Sequence, residues 1–294
     1  MGSHAHAHDN IDWPSRLTEL RRADLLTATA RAEVAARLVD DSVRTVIDMG
    51  SGSGGWASSF AEALRAAGKP GAIVVLVDAV PDLLAAAEES VRAVAGAEIE
   101  VVVVHGDAAD PELARRLPAA DLIWASHVVH HLPDERQGVR NLAASLAPGG
   151  RLALAEGGLP SRFLANDLGV GEPGLQQRLD VANTQWFKAM RAEMSGSIPL
   201  TEGWSSVLRG VGLVDVTAFS YLFDRPAPLS DADRTTVIDR VRWLRDTTEG
   251  WCSAEDTALL DRMLDPGDQL SLVDREDLFW LQANTVHLGR RPLA

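Results

Sequence analysis

The stretch that most constrains this chain runs from Thr45 to Gly55, Thr-Val-Ile-Asp-Met-Gly-Ser-Gly-Ser-Gly-Gly. Two β-branched residues, Val46 and Ile47, lead to an acid, Asp48, and a run of glycine and serine precedes a segment of helical periodicity from Trp56. A strand, a glycine turn and a helix in succession make a ligand-binding corner. Glycine permits the tight turn and the close approach of a ligand, and the first turn of the helix carries unpaired N–H donors. Gly50, Gly52 and Gly55 also satisfy the G-x-G-x-x-G spacing of a dinucleotide site, which keeps an NAD(P)-dependent oxidoreductase as an alternative. Asp48, two residues ahead of the first glycine, opposes a pyrophosphate and favours a ligand that carries positive charge.

Beyond this corner, strand and helix patterns alternate. Ile73 to Val77 is an apolar run ending in Asp78, Ile99 to Val104 is another ending at His105-Gly106-Asp107, and Asp121 to Ser126 and Arg151 to Ala155 are two more. Continuous apolar runs of this length are expected of parallel strands covered on both faces. Helical patterns separate them, with Trp56, Phe60 and Leu64 on one face, Pro81 opening a helix that ends at Gly96, and Val139, Leu142 and Leu146 marking a further one. The alternation predicts an α/β fold: a Rossmann-like, doubly wound, mostly parallel sheet of seven strands with an antiparallel last strand, and ligands at the carboxyl ends of the strands. Those ends gather three acids, Asp48, Asp78 and Asp107, on one crevice.

The pattern apolar-apolar-Asp-x-Gly-x-Gly resembles the first motif of class I S-adenosylmethionine-dependent methyltransferases, of the small-molecule type. Gly106-Asp107-Ala108 resembles their adenine motif, and Asp121-Leu-Ile-Trp-Ala-Ser-His-Val-Val-His-His-Leu-Pro and Leu146-Ala-Pro-Gly-Gly-Arg-Leu their fourth- and fifth-strand motifs. The resemblance covers residues 44–158 and implies S-adenosylmethionine as cofactor. By position it places Asp48, Gly50, Ser51 and Gly52 at the methionine portion, Asp78 and Ala79 at the ribose, Gly106, Asp107 and Ala108 at the adenine, and Ala125 and Ser126 beneath the sulfonium. A helical pattern stands between the last two strands, where the family more usually has a hairpin.

His127, His130 and His131 follow the fourth strand and are the candidate bases for a proton carried by the nucleophile, His130 and His131 foremost. Glu156, at the end of the fifth strand, is a structural acid or a second candidate base at the acceptor. A helical stripe containing Trp186, Phe187, Met190 and Met194 reads as packing of a lid, with Trp186 and Phe187 as candidate acceptor contacts. No set of residues reads as a metal site. The expected organisation is an N-terminal arm and helical cap over 1–42, a cofactor-binding core over 43–158, a helical lid over 159–210, and a C-terminal part of the sheet over 211–294 with a helical insertion at about 229–265. Ser230-x-x-Asp233 and Ser253-x-x-Asp256 predict the starts of two helices in that insertion.

Composition narrows the partners. With a formal net charge of −14, a phosphate-rich surface is disfavoured, so DNA and RNA are not expected as substrates. A small organic acceptor, aromatic ones included, is the expected partner, and nothing in the sequence speaks to oligomeric state. Only Lys69 and Lys188 stand against 26 arginines, a bias of GC-rich bacterial genomes that points to bacterial specialised metabolism. The single cysteine, Cys252, excludes an intrachain disulfide. Together with the lack of an apolar segment long enough for a membrane span or a signal core, it leads to the expectation of a cytoplasmic protein. His4, His6 and His8 read as the remnant of a purification tag. A methyltransferase fold retained as a non-catalytic S-adenosylmethionine-binding module is the non-enzymatic alternative.

Overall fold

The computed structural model describes residues 13–293; the histidines at 4, 6 and 8 lie outside them. Seven strands form one sheet in the order β3-β2-β1-β4-β5-β7-β6. They are β1 (Thr45–Met49), β2 (Ala72–Asp78), β3 (Ile99–His105), β4 (Ala120–Ser126), β5 (Leu146–Arg162), β6 (Val214–Arg225) and β7 (Trp280–Arg290). The pairs among β1 to β5 are parallel, and β7 runs antiparallel between β5 and β6. The expected doubly wound sheet with an antiparallel last strand is therefore the observed one.

The apolar runs are continuous because successive side chains enter opposite layers. Val46, Val74, Leu76, Leu122 and Trp124 pack into one core with α1 (Trp13–Leu38), α2 (Gly55–Ala66) and α3 (Pro81–Ala95). Their neighbours Ile47, Met49, Val75, Val77, Ile123 and Ala125 enter a second core with α4 (Glu135–Ala144) and α6 (Trp204–Gly210). A third core lies beyond the sheet proper, where α5 (Leu175–Glu193), α7 (Asp231–Thr247) and α8 (Ala254–Leu264) close over Phe163, Phe223, Trp280 and Leu26. No helix among the described residues is long and apolar enough to cross a membrane.

The structure departs from the expected element boundaries in three places. Leu146 opens β5 rather than closing a helix, and it is buried against Ala120 of β4. β5 does not stop at Glu156. It continues to Arg162 by pairing with β7, with register shifts between Ala155 and Gly158 and again before Arg162, so the boundary expected at 158 falls inside a strand. α6, expected within the lid, covers the sheet instead, with Val207 and Leu208 fully buried in the second core. What stands over the strand ends is α5 and the two helices between β6 and β7.

Both helix starts in that insertion are capped as their sequences require. Ser230 Oγ accepts the Asp233 N–H at 3.2 Å, and Ser253 Oγ accepts the Asp256 N–H at 3.1 Å. Ser230→Ala and Ser253→Ala should each lower stability by about 1 kcal/mol, since each leaves a first-turn N–H without its side-chain acceptor. Chemical denaturation measures this; unchanged midpoints would show that water replaces the caps.

Candidate active site

The glycine turn is held by backbone and by two buried acids. Gly50 and Ser51 N–H groups donate to the Val77 carbonyl at 2.8 and 3.0 Å, tying the turn to the end of β2. Asp78 is buried, with Oδ2 accepting the Gly52 N–H and Oδ1 the Val80 N–H, each at 2.9 Å. The carboxylate expected to receive ribose hydroxyls thus also fixes the turn, and each oxygen keeps a second lone pair for a ligand. Ser51, expected to touch the cofactor, is consumed internally: its hydroxyl donates to the Asp48 carbonyl and accepts the Val77 N–H, both at 2.9 Å. Gly52 has φ +52°, and a Cβ there would meet nothing within 4 Å, so the left-handed backbone demands glycine while the space above it stays open.

Asp48 is the incomplete member. Its side chain is buried, it takes a hydrogen bond from the Ala57 N–H, and Oδ2 has no partner among the described residues. Burial, reinforced by Asp78 and Asp24 and opposed by Arg31, pushes its pKa from 3.8 to about 8. A carboxyl left short of one donor and beside a turn with open space fits an incoming ammonium.

Arg31 and Asp24 belong to this corner and were not legible in the sequence. Both come from α1; Arg31 Nη1 donates to Asp24 Oδ1 and Ser53 Oγ to Asp24 Oδ2, each at 2.5 Å. A Cβ at residue 55 would lie 1.6 Å from Arg31 Nη1 and 2.2 Å from Asp24 Oδ1. The third glycine of the dinucleotide-like spacing is therefore explained by an ion pair docking on α2. It is not evidence for a pyrophosphate.

At the end of β3, the Gly106 N–H donates to the Asp78 carbonyl at 3.0 Å. Asp107 Oδ1 accepts the Ala109 N–H at 2.8 Å, folding the loop so that Ala108 is buried while Asp107 remains half-buried. Ala79, exposed after β2, presents its carbonyl to His105 Nε2 at 3.0 Å. Ala125 is fully buried with its methyl in the second core, and Ser126 is half-buried at the strand end.

The histidine turn abuts the glycine turn. A Cβ at Gly50 would lie 2.4 Å from Val128 Cγ2, so the residue after β4 packs directly on the first glycine. His127 takes φ +55°, a left-handed conformation costly to a residue with a Cβ, and reverses the chain into the tight turn Val129–His131. Glu156, 1% exposed, supports that reversal. Its Oε1 accepts the Val128 and Val129 N–H groups at 3.0 and 2.8 Å, and its Oε2 lies 2.7 Å from His130 Nδ1. Burial alone would raise the Glu156 pKa; the His130 hydrogen bond, the charges of His130 and His127 and the Val129 N–H outweigh it and hold the pKa below the ordinary value. An ionised Glu156 requires the proton on His130 Nδ1, which leaves Nε2 as the acceptor. Glu156 thus holds the His130 ring by its Nδ1.

His127 reaches solvent, and its Nε2 accepts from Asn284 Nδ2 at 3.3 Å, an amide also 3.3 Å from the Tyr221 hydroxyl. The protein crowded around His127 lowers its pKa, with Glu156 opposing and His130 and Arg240 reinforcing the shift. His131 is exposed, its ring centroid 4.1 Å from that of His130. His127, His130 and Glu156 bring a ligand atom each within 4.8 Å of one another, a set the sequence did not single out for metal. Both Glu156 oxygens already accept hydrogen bonds within the chain.

Facing the histidines is α5. Phe187 lies 5.6 Å from His130 and 6.3 Å from His131, centroid to centroid, and Trp186 lies 6.4 Å from Phe187. Trp186 also meets Trp243 of α7 edge-on at 5.8 Å. Of the two expected acceptor contacts, Phe187 faces the histidines and Trp186 stands behind it. Trp243 joins them from α7 and was not singled out in the sequence.

Residues 47–152 match the family model of a methyltransferase domain. No curated protein sequence matches the chain. Among solved structures, a candidate methyltransferase from Bacillus halodurans is 16% identical over 89% of this chain and 98% of its own, with a TM-score of 0.48. The YcgJ protein of Bacillus subtilis is 17% identical over 90% and 99%, with a TM-score of 0.48. A methyltransferase from Thiobacillus denitrificans, in complex with S-adenosylhomocysteine, is 16% identical over 88% and 90%, with a TM-score of 0.44. Each of these scores lies below 0.5, so the assignment rests on the family match together with the sheet order and the residues at the strand ends. Residues 47–152, from β1 into β5, are a methyltransferase domain by that match.

The buried Asp48 makes a prediction about the protein without ligand. Its folded pKa of about 8 lies above the 3.8 of an open chain, so the unfolded state releases this proton first as pH rises. The Asp48 contribution to stability is full below pH 4 and is lost progressively up to about pH 8. Asp48→Asn should therefore melt higher than the wild type at pH 8 and nearly with it at pH 4. A difference that did not change with pH would show that Asp48 is ionised in the fold.

Proposed function

We propose that this protein transfers a methyl group from S-adenosylmethionine to a small organic acceptor held between the histidine turn and α5, in bacterial specialised metabolism. The observation that carries this reading is the His130–Glu156 pair, set against the glycine turn through Val128 and Gly50 and faced by Phe187. The arginine-over-lysine bias supports the bacterial setting, and the net charge of −14 supports a small acceptor over a nucleic acid.

Asp48 would take the cofactor's ammonium on its unpartnered Oδ2, Gly52 would leave the open approach, Asp78 would accept ribose hydroxyls, and Asp107 with Ala108 would meet the adenine. When bound, the cofactor supplies an electrophilic methyl on a sulfonium, which a nucleophile displaces in line. The protein holds the acceptor close and aligned. His130 Nε2 takes the proton of an O–H or N–H nucleophile, and Glu156 keeps Nδ1 protonated and stabilises the imidazolium that forms. Phe187 and Trp186 give the acceptor an apolar wall that keeps water from the attacking atom. The oriented pair favours an enzyme over a binding module, because binding alone needs no base with a fixed tautomer.

Two measurements test this reading. Calorimetry should show S-adenosylhomocysteine binding with release of a proton, with affinity rising with pH up to about 8, because the ligand ammonium favours the ionised Asp48. Tighter binding of NAD than of S-adenosylhomocysteine would overturn the assignment. Against a panel of small phenols, amines and acids with labelled cofactor, His130→Ala should cost on the order of 10²–10⁴ in kcat/KM at unchanged cofactor affinity. Turnover should survive chelators. Loss of turnover restored by a divalent ion would make His127, His130 and Glu156 metal ligands instead.

A further inference from the structure

The helical insertion between β6 and β7 brings a cation into the cleft that the mechanism above does not use. Arg240, on α7, lies with its guanidinium carbon 4.3 Å from the ring centroid of Trp243, which continues the aromatic wall through Trp186 and Phe187 to His130. It is close enough to His127 to depress that histidine's pKa. The side chain is half-buried, and among the described residues no carboxylate comes within ion-pairing distance of it and no acceptor within hydrogen-bonding distance.

The nearby acids are engaged elsewhere. Asp180 pairs with Arg162, Asp239 with Arg22 and Arg242, Asp256 with Arg178, and Glu156 with His130. Burial lowers the Arg240 pKa to about 10, with Asp180 opposing and the like charge of Arg16 adding to the shift. A half-buried guanidinium over an aromatic ring, with no ion-pairing carboxylate among the described residues, is costly to the empty protein. One turn of α5 before Phe187, Asn183 shows the same incompleteness: its Oδ1 is buried without a partner among the described residues.

We propose that Arg240 binds a carboxylate of the methyl acceptor, so that the substrate class is small aromatic carboxylic acids, with the ring against Trp186 and Phe187 and the methylated atom toward His130. The planar fork of a single guanidinium matches a single carboxylate in both geometry and charge. This rests on the methyl-transfer reading for what happens to the acceptor, but the carboxylate site itself stands on the side chains of α5 and α7.

The test uses the full chain and a panel of hydroxybenzoates, hydroxycinnamates and indole carboxylates, each paired with its primary amide. Binding is followed by saturation-transfer NMR and calorimetry, with and without S-adenosylhomocysteine. Wild-type protein should bind members of the acid series at least tenfold more tightly than their amides, and Arg240→Gln should erase that preference by weakening the acids roughly 10- to 100-fold. Affinity for S-adenosylhomocysteine should not change. Arg240→Lys, which keeps the charge and loses the fork, should fall between the two and serves if the glutamine variant does not fold. If no acid binds better than its amide to the wild type, or if the preference survives Arg240→Gln, the proposal is overturned. If the acids bind through Arg240 while S-adenosylhomocysteine does not bind at all, methyl transfer fails and the carboxylate site stands.

Discussion

The cleft of this protein depends on how buried carboxylates are provided with donors. A carboxylate removed from water is tolerated when hydrogen bonds replace its hydration, and three acids at the strand ends are provided for to different degrees. Glu156 receives two backbone N–H groups and a histidine; Asp78 receives two backbone N–H groups; Asp48 is left with an orphaned oxygen. The first two shape the loops: Glu156 stabilises the strained reversal at His127, and Asp78 holds the glycine turn open at Gly52. The third is set up for a ligand, since the donor it lacks has to come from outside the chain. The same logic marks Arg240, which has no ion-pairing carboxylate among the described residues.

Much of the sheet was legible because its signals are local. Apolar runs ending in Asp48, Asp78 and Ser126 are sufficient to place parallel strands, and Ser230 and Ser253 announce their helices by the acid three residues later. The failures share a cause. β5 continues past Glu156 only because β7, more than a hundred residues later in the chain, pairs with Gly158 and Leu159. No local periodicity records that partner. Likewise α6 falls in the stretch 159–210 read as a lid from its helical stripe, while Val207 and Leu208 are buried against the far part of the sheet.

The site divides along the same line. Its motif residues could be read in sequence, but their work could not. Ser51 sits in the motif and serves the turn, and Gly55 completes a dinucleotide-like spacing for the sake of an arginine on α1. Asp24 and Arg31 have no motif at all; a charged pair on an N-terminal helix is an ordinary exposed feature until the fold places it over Ser53. Trp243 and Arg240 lie over fifty residues from Trp186 in the chain, and only the third core joins them.

That third core separates two tasks that the methyltransferase domain alone would have to combine. The glycine turn, Asp48 and Asp78 hang from β1 and β2, where parallel pairing on both sides makes the backbone rigid. The aromatic wall hangs from α5 and α7, which pack on Phe163, Phe223 and Trp280 in the third core. Substitutions on the inner faces of α5 and α7 can therefore change what is enclosed without disturbing the turn at Gly52. His130 is where the two meet: its Nδ1 is fixed from the sheet side by Glu156 and its ring is covered from the helix side by Phe187. A histidine positioned from both sides keeps its tautomer and direction while the residues of α5 and α7 around it vary.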